Sequence, residues 1–210
     1  MTLDTQHNSH GVAPHPLPWP VGEQYDSDLL RHGDRRNVED RYRYWKVEAI
    51  KEDMAKHAFE LEVAIENWQH DFNIGTIVRN ANAFRAKKVH IVGKRQWNRR
   101  GAMVTDAYLE IVHHKTVGAF VAATTGKILL AVDNQPGAVS VEQVRLPSNA
   151  VLVFGGEGPG LSDEMKTVCN QMVAIPQYGS TRSVNVGVAS GIMMYKWIEE
   201  HAQQKNKQKH

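Results

Sequence analysis

The stretch VLVFGGEGPGLSDE, residues 151–164, decides how this chain folds. It opens on four consecutive apolar residues, too short a run for a helix and suited to a strand buried on both faces. Four glycines in the six positions from Gly155 to Gly160 then end the strand. Glycine there lets the backbone turn sharply and approach a ligand closely. Ser162 or Asp163 offers a cap for a helix over 161–168. Buried strand, tight loop and helix form the repeating unit of a parallel sheet covered on both sides. The loop lacks the Gly-Lys-Ser/Thr ending of a phosphate loop, and its glycine spacing and Pro159 break the dinucleotide fingerprint. A tight turn without a ligand stays open as the alternative.

The same alternation extends in both directions. Upstream, Phe59, Leu61, Val63 and Ile65 alternate with mostly polar residues and predict a strand. Ile74, Ile77, Val78, Ala81 and Phe84 recur at helical spacing. Residues 89–92 and 128–132 read as strands, and 117–123 as a helix between them. Downstream, 172–175 is a strand and 184–200 a helix, with Val184, Val188, Ile192, Tyr195 and Ile198 on one face. The predicted fold class is α/β, a mainly parallel sheet with helices on both faces.

In such sheets ligands bind beyond the carboxyl ends of the strands, and two further strand exits carry suitable residues. One runs Asn73-Ile-Gly-Thr-Ile-Val-Arg79, where Asn73 could cap a helix and Arg79 lies off the face of Ile77 and Val78. The other begins Ile175-Pro176, bends at Gly179 and reaches Ser183 and Asn185, either able to cap the final helix. Gly187, Ala189, Ser190 and Gly191 make the start of that helix narrow, fit for close packing against another element or a ligand. Each feature taken alone also reads as a cap, a surface arginine or a tightly packed core helix.

Three segments make up the predicted organisation. Residues 1–57 are an N-terminal extension: a disordered tail around the PLPWP of residues 16–20, then a basic helix over 37–57 with Tyr42, Trp45, Ala49 and Ile50 as its apolar stripe. Residues 58–203 are the main domain, and 204–210 a basic tail. Net charge is only +2, but it is unevenly spread. From Arg79 to Arg100 there are eight Lys or Arg and no Asp or Glu, whereas residues 101–200 hold nine acidic residues against six basic. That asymmetry suits a polyanion-binding face, although a solvated basic surface is the plainer reading. Arg41 and Arg43, interleaved with Tyr42, Tyr44 and Trp45, suit RNA, with cations for phosphates and rings for unstacked bases; the rings could equally pack onto the core. Arg85, Arg95, Arg99 and Arg100 are the candidate RNA contacts of the main domain.

The 210 residues suit one domain with an extension. No apolar run reaches membrane-spanning length, no signal-peptide core stands near Met1, and the single cysteine, Cys169, excludes an internal disulfide and a multi-cysteine zinc site. A cytoplasmic protein without a metal or a membrane is expected, and the eleven histidines show no ligand spacing beyond the adjacent His113-His114.

In this order, the three glycine- and asparagine-bearing segments resemble the signature motifs of the SpoU (TrmH-type) RNA 2′-O-ribose methyltransferases of the SPOUT superfamily. The likeness rests on Asn73, Gly75 and Arg79, on Gly155, Glu157, Gly158 and Gly160-Leu161-Ser162, and on Ile175-Pro176, Gly179, Ser183 and Asn185. It spans residues 58–200. Gly156, Val184 and Gly187 depart mildly from the family pattern, which often has Asn, Leu and Ser there. The resemblance implies a SPOUT fold with a C-terminal trefoil knot and a homodimer. It implies an S-adenosylmethionine-dependent enzyme acting on the ribose of a tRNA or rRNA nucleotide. It assigns the cofactor to Phe154, Gly155, Gly156, Glu157, Gly158, Ile175, Val184 and Asn185, largely through backbone atoms. It gives Arg79 the catalytic place, with Asn73, Glu157, Ser183 and Asn185 completing the polar set. A non-catalytic RNA-binding protein that retains the fold is the competing expectation.

Overall fold

The structure, a computed structural model, describes residues 11–68, 73–156 and 160–207. The chain divides into two compact units, Met1–Lys56 and His57–His210.

In the first unit, α1 (Ser27–His32) is capped by Asp26, whose side chain accepts from the amides of Asp28 and Leu29. A 3-10 turn follows at Asp40–Tyr42, and α2 covers Val47–His57. The buried Asp34 organises the rest. Its carboxyl group accepts from Arg36 Nε and Nη2 and from the amides of Arg36 and Tyr44. Burial alone would raise this carboxyl, but those hydrogen bonds and the Arg36 charge outweigh it and hold it at about 2. Two expectations are corrected here. The helix expected from residue 37 starts only at Val47, because the Tyr44 amide is drawn to Asp34, its carbonyl accepts from Asp26 N, and Tyr44 takes a left-handed φ of 63°. Residues 11–26 of the expected tail carry defined contacts, among them an antiparallel bridge from Val12 to Asp34; residues 1–10 lie outside the described residues.

The second unit contains β1 (Glu62–Asn67), α3 (Asn73–Ala83), β2 (Lys88–Gly93), β3 (Ile111–His114), α4 (Val117–Ala123), β4 (Ile128–Val132), β5 (Val139–Ser140), β6 (Ala150–Phe154), α5 (Asp163–Val168), β7 (Gln171–Ala174) and α6 (Val186–Lys207). Among the described residues these strands make one sheet, in the order β3-β2-β1-β6-β4-β7-β5. Every pairing is parallel. The carboxyl ends of the strands therefore share one edge, with Ile65 and Val132 both level with Phe154.

Apolar residues cover both faces. On one, Leu61, Val63 and Ile65 meet Ile74, Ile77 and Val78 of α3 and Met193, Met194 and Trp197 of α6. On the other, Ala64, Val92, Leu129, Ala131, Val151 and Val153 meet Val117 and Phe120 of α4 and Met165 of α5. The α/β class with helices on both faces is thus the observed one.

Some elements differ from the sequence reading. The alternation over 59–65 suggests a strand with one wet face, yet β1 starts at Glu62 and is buried along its whole length. Its glutamates stay buried because they are paired. Glu62 Oε1 accepts from Lys127 Nζ at 2.9 Å, Oε2 lies 2.9 Å from His90 Nε2, and His90 Nδ1 lies 2.9 Å from His114 Nε2. Burial would raise the Glu62 carboxyl, but His90 and Lys127 hold it at about 2. The short strands β3 and β5 had no apolar run to betray them. On α6, the sheet takes the Met193, Met194 and Trp197 side, leaving the apolar stripe of Val188, Ile192 and Tyr195 facing outward.

Candidate functional site

Three strand exits and the start of α6 enclose a cavity of about 330 Å³ at the carboxyl edge of the sheet. The β4 exit contributes Val132, Asp133 and Asn134; the β6 exit Gly155, Gly156 and Gly160; the β7 exit Ile175 and Gln177; and the chain entering α6 Ser183, Val184 and Asn185. Its glycines are there for space. A Cβ on Gly155 would collide with the backbone of Gly160 and Leu161, so no other residue lets the loop fold back on the strand end. Gly160 N donates to Gly156 O at 3.1 Å to close that loop. Asn134 Nδ2 donates to Arg182 O at 3.0 Å, tying the β4 exit to the segment before α6.

Asn185 has two tasks. Its Oδ1 accepts from the amides of Gly187 (2.9 Å) and Val188 (3.3 Å), capping α6. Its Nδ2 donates to Asn73 Oδ1 at 2.9 Å, which brings the first residue of α3 to the cavity wall. Close packing of the two helices makes this possible: Asn80 Nδ2 donates to Gly187 O and Ser190 Oγ. A Cβ on Gly187 would come 2.9 Å from Thr76 Cγ2.

The structure thus brings together Asn73, Gly155, Gly156, Ile175, Ser183, Val184 and Asn185 of the expected site. Arg79 is exposed on α3, off the face that buries Ile77 and Val78. The Phe154 side chain is fully buried in the core and leaves only its backbone for a ligand. Glu157 and Gly158 lie outside the described residues. Ser162 is the observed cap of α5, accepting from Met165 N. Arg95, Arg99 and Arg100 are exposed, with Arg99 over the Trp97 ring and paired with Asp106. Arg85 is half-buried, with a φ of 51°. In the first unit, Arg41 lies 4.4 Å over the Tyr42 ring. Arg43 is turned inward, donating to Arg36 O and pairing with Asp40. Tyr42 is buried and meets Trp45 edge-on.

Asp133, Asn134 and Gln177 line the cavity without having been singled out from the sequence. For Asp133 and Asn134 the signal was the exit of β4, since Asp133-Asn134-Gln135-Pro136-Gly137 follows a buried apolar strand just as the glycine loop does. Gln177 Oε1 is buried and without a hydrogen-bond partner among the described residues. An orphaned acceptor in a cavity wall fits a ligand that brings a donor. No group of three or more His, Cys, Asp or Glu among the described residues is placed to hold a metal ion.

A parallel α/β sheet with a glycine-walled cavity at its carboxyl edge, closed by the capped start of the last helix, defines a protein that takes a small organic ligand at the strand ends. The chain belongs to the SpoU rRNA Methylase family, whose model matches residues 60–195. It is 28% identical over 151 residues to the tRNA (guanosine(18)-2′-O)-methyltransferase of Escherichia coli strain K12, covering 70% of this chain and 66% of that protein. It therefore spans about two thirds of the length of that curated relative. Among solved structures it resembles the TrmH/SpoU tRNA modifying enzyme of A. aeolicus, with a TM-score of 0.67 at 23% identity over 76% of this chain and 84% of the other. It also resembles the AdoMet-bound rRNA methyltransferase of Sinorhizobium meliloti, with a TM-score of 0.62 at 23% identity over 70% of this chain and 60% of that one. At these identities the structural likeness speaks for the fold.

Proposed function

We propose that this chain is an S-adenosylmethionine-dependent methyltransferase acting on the ribose 2′-hydroxyl of a tRNA or rRNA nucleotide, and that it works as a homodimer. The observation that carries this reading is the Asn185–Asn73 hydrogen bond. It joins a wall of the small-ligand cavity to the helix that carries Arg79, so a donor site and an acceptor site adjoin. Family membership and the relatives' names support it, as does the AdoMet bound to the Sinorhizobium meliloti neighbour.

The residues fit the cofactor. The cavity has the size of a small-molecule site, Gln177 Oε1 offers an unused acceptor, and Gly155, Gly156 and Gly160 of the folded-back glycine loop line it. Gly155, Gly156, Ile175, Val184 and Asn185 would hold the cofactor, with the backbone of Phe154 and, by their place in the motif, Glu157 and Gly158. When bound, S-adenosylmethionine supplies a methyl group activated by an adjacent sulfonium. This chain's share is positioning, which supplies much of the acceleration of an in-line displacement. Arg79 orients the ribose or its phosphate with its planar guanidinium and stabilises the charge growing on the 2′-oxygen. Asn73, Ser183, Asn185 and Glu157 fix the acceptor beside it.

The same reading carries a C-terminal trefoil knot, supported by membership of the family. It divides the chain into an extension, a methyltransferase domain over 58–203 and a basic tail. The exposed Arg95, Arg99 and Arg100 serve the RNA together with Arg85, and in the extension Arg41 offers a further contact, whereas Arg43, held inward by Arg36 O and Asp40, does not. The test is titration calorimetry with S-adenosylmethionine, expected to give one site per subunit, followed by incubation of labelled donor with separated tRNA and rRNA and nucleoside analysis. Folded protein that binds no donor at millimolar concentration overturns the reading.

A further inference from the structure

Directly after β1 stands Trp68, its side chain 40% exposed at the ligand-binding edge of the sheet. Two sets of contacts hold this partly exposed indole still. Its Nε1 donates to Glu66 Oε1 at 2.8 Å. The same buried carboxyl group accepts from Ser162 Oγ and from Ser162 N, both at 2.7 Å, so the ring is anchored to the loop that leads from the cavity into α5. The six-membered ring lies against Gly93, where a Cβ would come 2.8 Å from Cε3 and 2.9 Å from Cζ3. Only glycine leaves room for it. Beside the ring, Asn67 Nδ2 donates to the carbonyls of Lys94 and Gln96, and Lys94 N donates to Asn67 O. These bonds fix the backbone that follows Gly93, from which the exposed Lys94 and Arg95 project, inside the stretch 79–100 that holds no Asp or Glu.

An aromatic ring held in place near exposed cations on an anchored backbone matches an unstacked nucleotide: the ring takes the base and the cations take phosphates. We infer that Trp68 is a stacking platform for an unstacked base of the RNA substrate, with Lys94 and Arg95 as its phosphate contacts. This rests on the proposed RNA ribose methylation and adds to it the residue that seats the nucleotide. Because Glu66 and Gly93 already fix the ring, RNA binding would cost little further ordering of that side chain. The carboxyl group of Glu66 also joins the platform to the cofactor loop through Ser162.

The experiment measures methyl transfer to separated tRNA and rRNA by the wild-type protein and by Trp68→Ala and Trp68→Phe. Wild-type transfer to neither RNA counts against the proposed activity, whereas the outcomes that follow concern the platform. For the RNA that is methylated, Trp68→Ala should raise KM roughly tenfold, the scale of one lost base–aromatic stack, with kcat and donor affinity kept. Trp68→Phe, which retains a ring face but loses the bond to Glu66, should fall between the two. Titrating RNA should quench the intrinsic fluorescence of the wild type more than that of Trp68→Phe, a readout that stands even where the alanine variant fails to fold. A KM unchanged within about twofold, equal loss of RNA and donor affinity, or identical quenching in wild type and Trp68→Phe overturns the inference.

Discussion

Arg79 is set apart from its neighbours by exposure: Ile77 and Val78 go into the core, and the guanidinium is left outside. Arg79→Ala should therefore cost no core packing and leave the fold and donor affinity intact, yet lower turnover by ~10²-fold or more, the scale of one lost preorganised transition-state contact. Arg79→Lys should recover little, since an ammonium lacks the two-pronged planar geometry. Methyl transfer at saturating RNA, alongside donor binding by calorimetry, checks both. Cys169 gives a simpler test. Burial pushes its thiol up, the Glu66 charge adds to this, and it reaches about 12. Alkylation at pH 8 should be far slower than for an exposed thiol and should speed up once the protein is unfolded, as read by mass spectrometry. Asn73, Ser183, Asn185 and the glycines were legible in the sequence because their residue types announce caps and close backbone approach. Asp133, Asn134 and Gln177 were not, because polar residues after a strand look the same in a cavity wall as in any solvated turn. Glu62 and Glu66 misled for a related reason: a carboxyl in a strand reads as a wet face until its His, Lys or Ser partner, far away in sequence, is known.

At the scale of elements, long apolar runs and strong helical periods were readable: α4 and β4 have the expected limits, and α3, β2, β6 and β7 lie within a residue or so of them. The short β3 was hidden because only Ile111 and Val112 of its four residues are apolar, and two histidines follow them. There His114 meets His90, which meets Glu62. Burial pushes the His114 imidazole below its usual 6.5, and the nearby His90 and His113 push it the same way. The unfolded chain then takes up protons before the folded one does, so folding stability is full above about pH 6.5 and falls as pH drops from there through the lowered value. Glu62 acts in a separate window. Its folded value, about 2, lies below the ordinary 4.5, so its stabilisation is present above about pH 4.5 and is lost as pH falls towards 2. Urea unfolding followed across this range should show two descents. His114→Gln should flatten the upper one and spare the lower; a slope between pH 7 and 5 unchanged by the substitution would show that this histidine does not set the acid sensitivity.

For the whole molecule the decisive feature is apolar surface left uncovered. The charge asymmetry predicts that RNA affinity falls steeply with salt and that alanine at Arg95, Arg99 and Arg100 weakens RNA binding without touching donor binding; filter binding at two salt concentrations checks it. The periodicity of α6 foretold an apolar stripe but not its direction, because the helix carries two such stripes and the sequence does not say which one the sheet will cover. Met193, Met194 and Trp197 are taken inward, and Val188, Ile192 and Tyr195 are 55%, 41% and 59% exposed on the other side. Residues four and three apart on one helix form a continuous ridge, and a ridge of this kind is what a second copy of the chain would cover in a two-fold interface. The ridge starts on the first turn of α6, whose cap, Asn185, lines the cavity. Association through it would therefore brace the donor site. Ile192→Glu places a charge on the ridge without altering the buried face. It should turn a dimer into a monomer by light scattering and weaken donor binding, while the unfolding midpoint of the isolated subunit changes little. A wild-type monomer at working concentration would remove the homodimer. A dimer that survives Ile192→Glu would put the interface on another surface, and a monomeric variant with undiminished donor affinity would mean that one chain completes the cavity unaided.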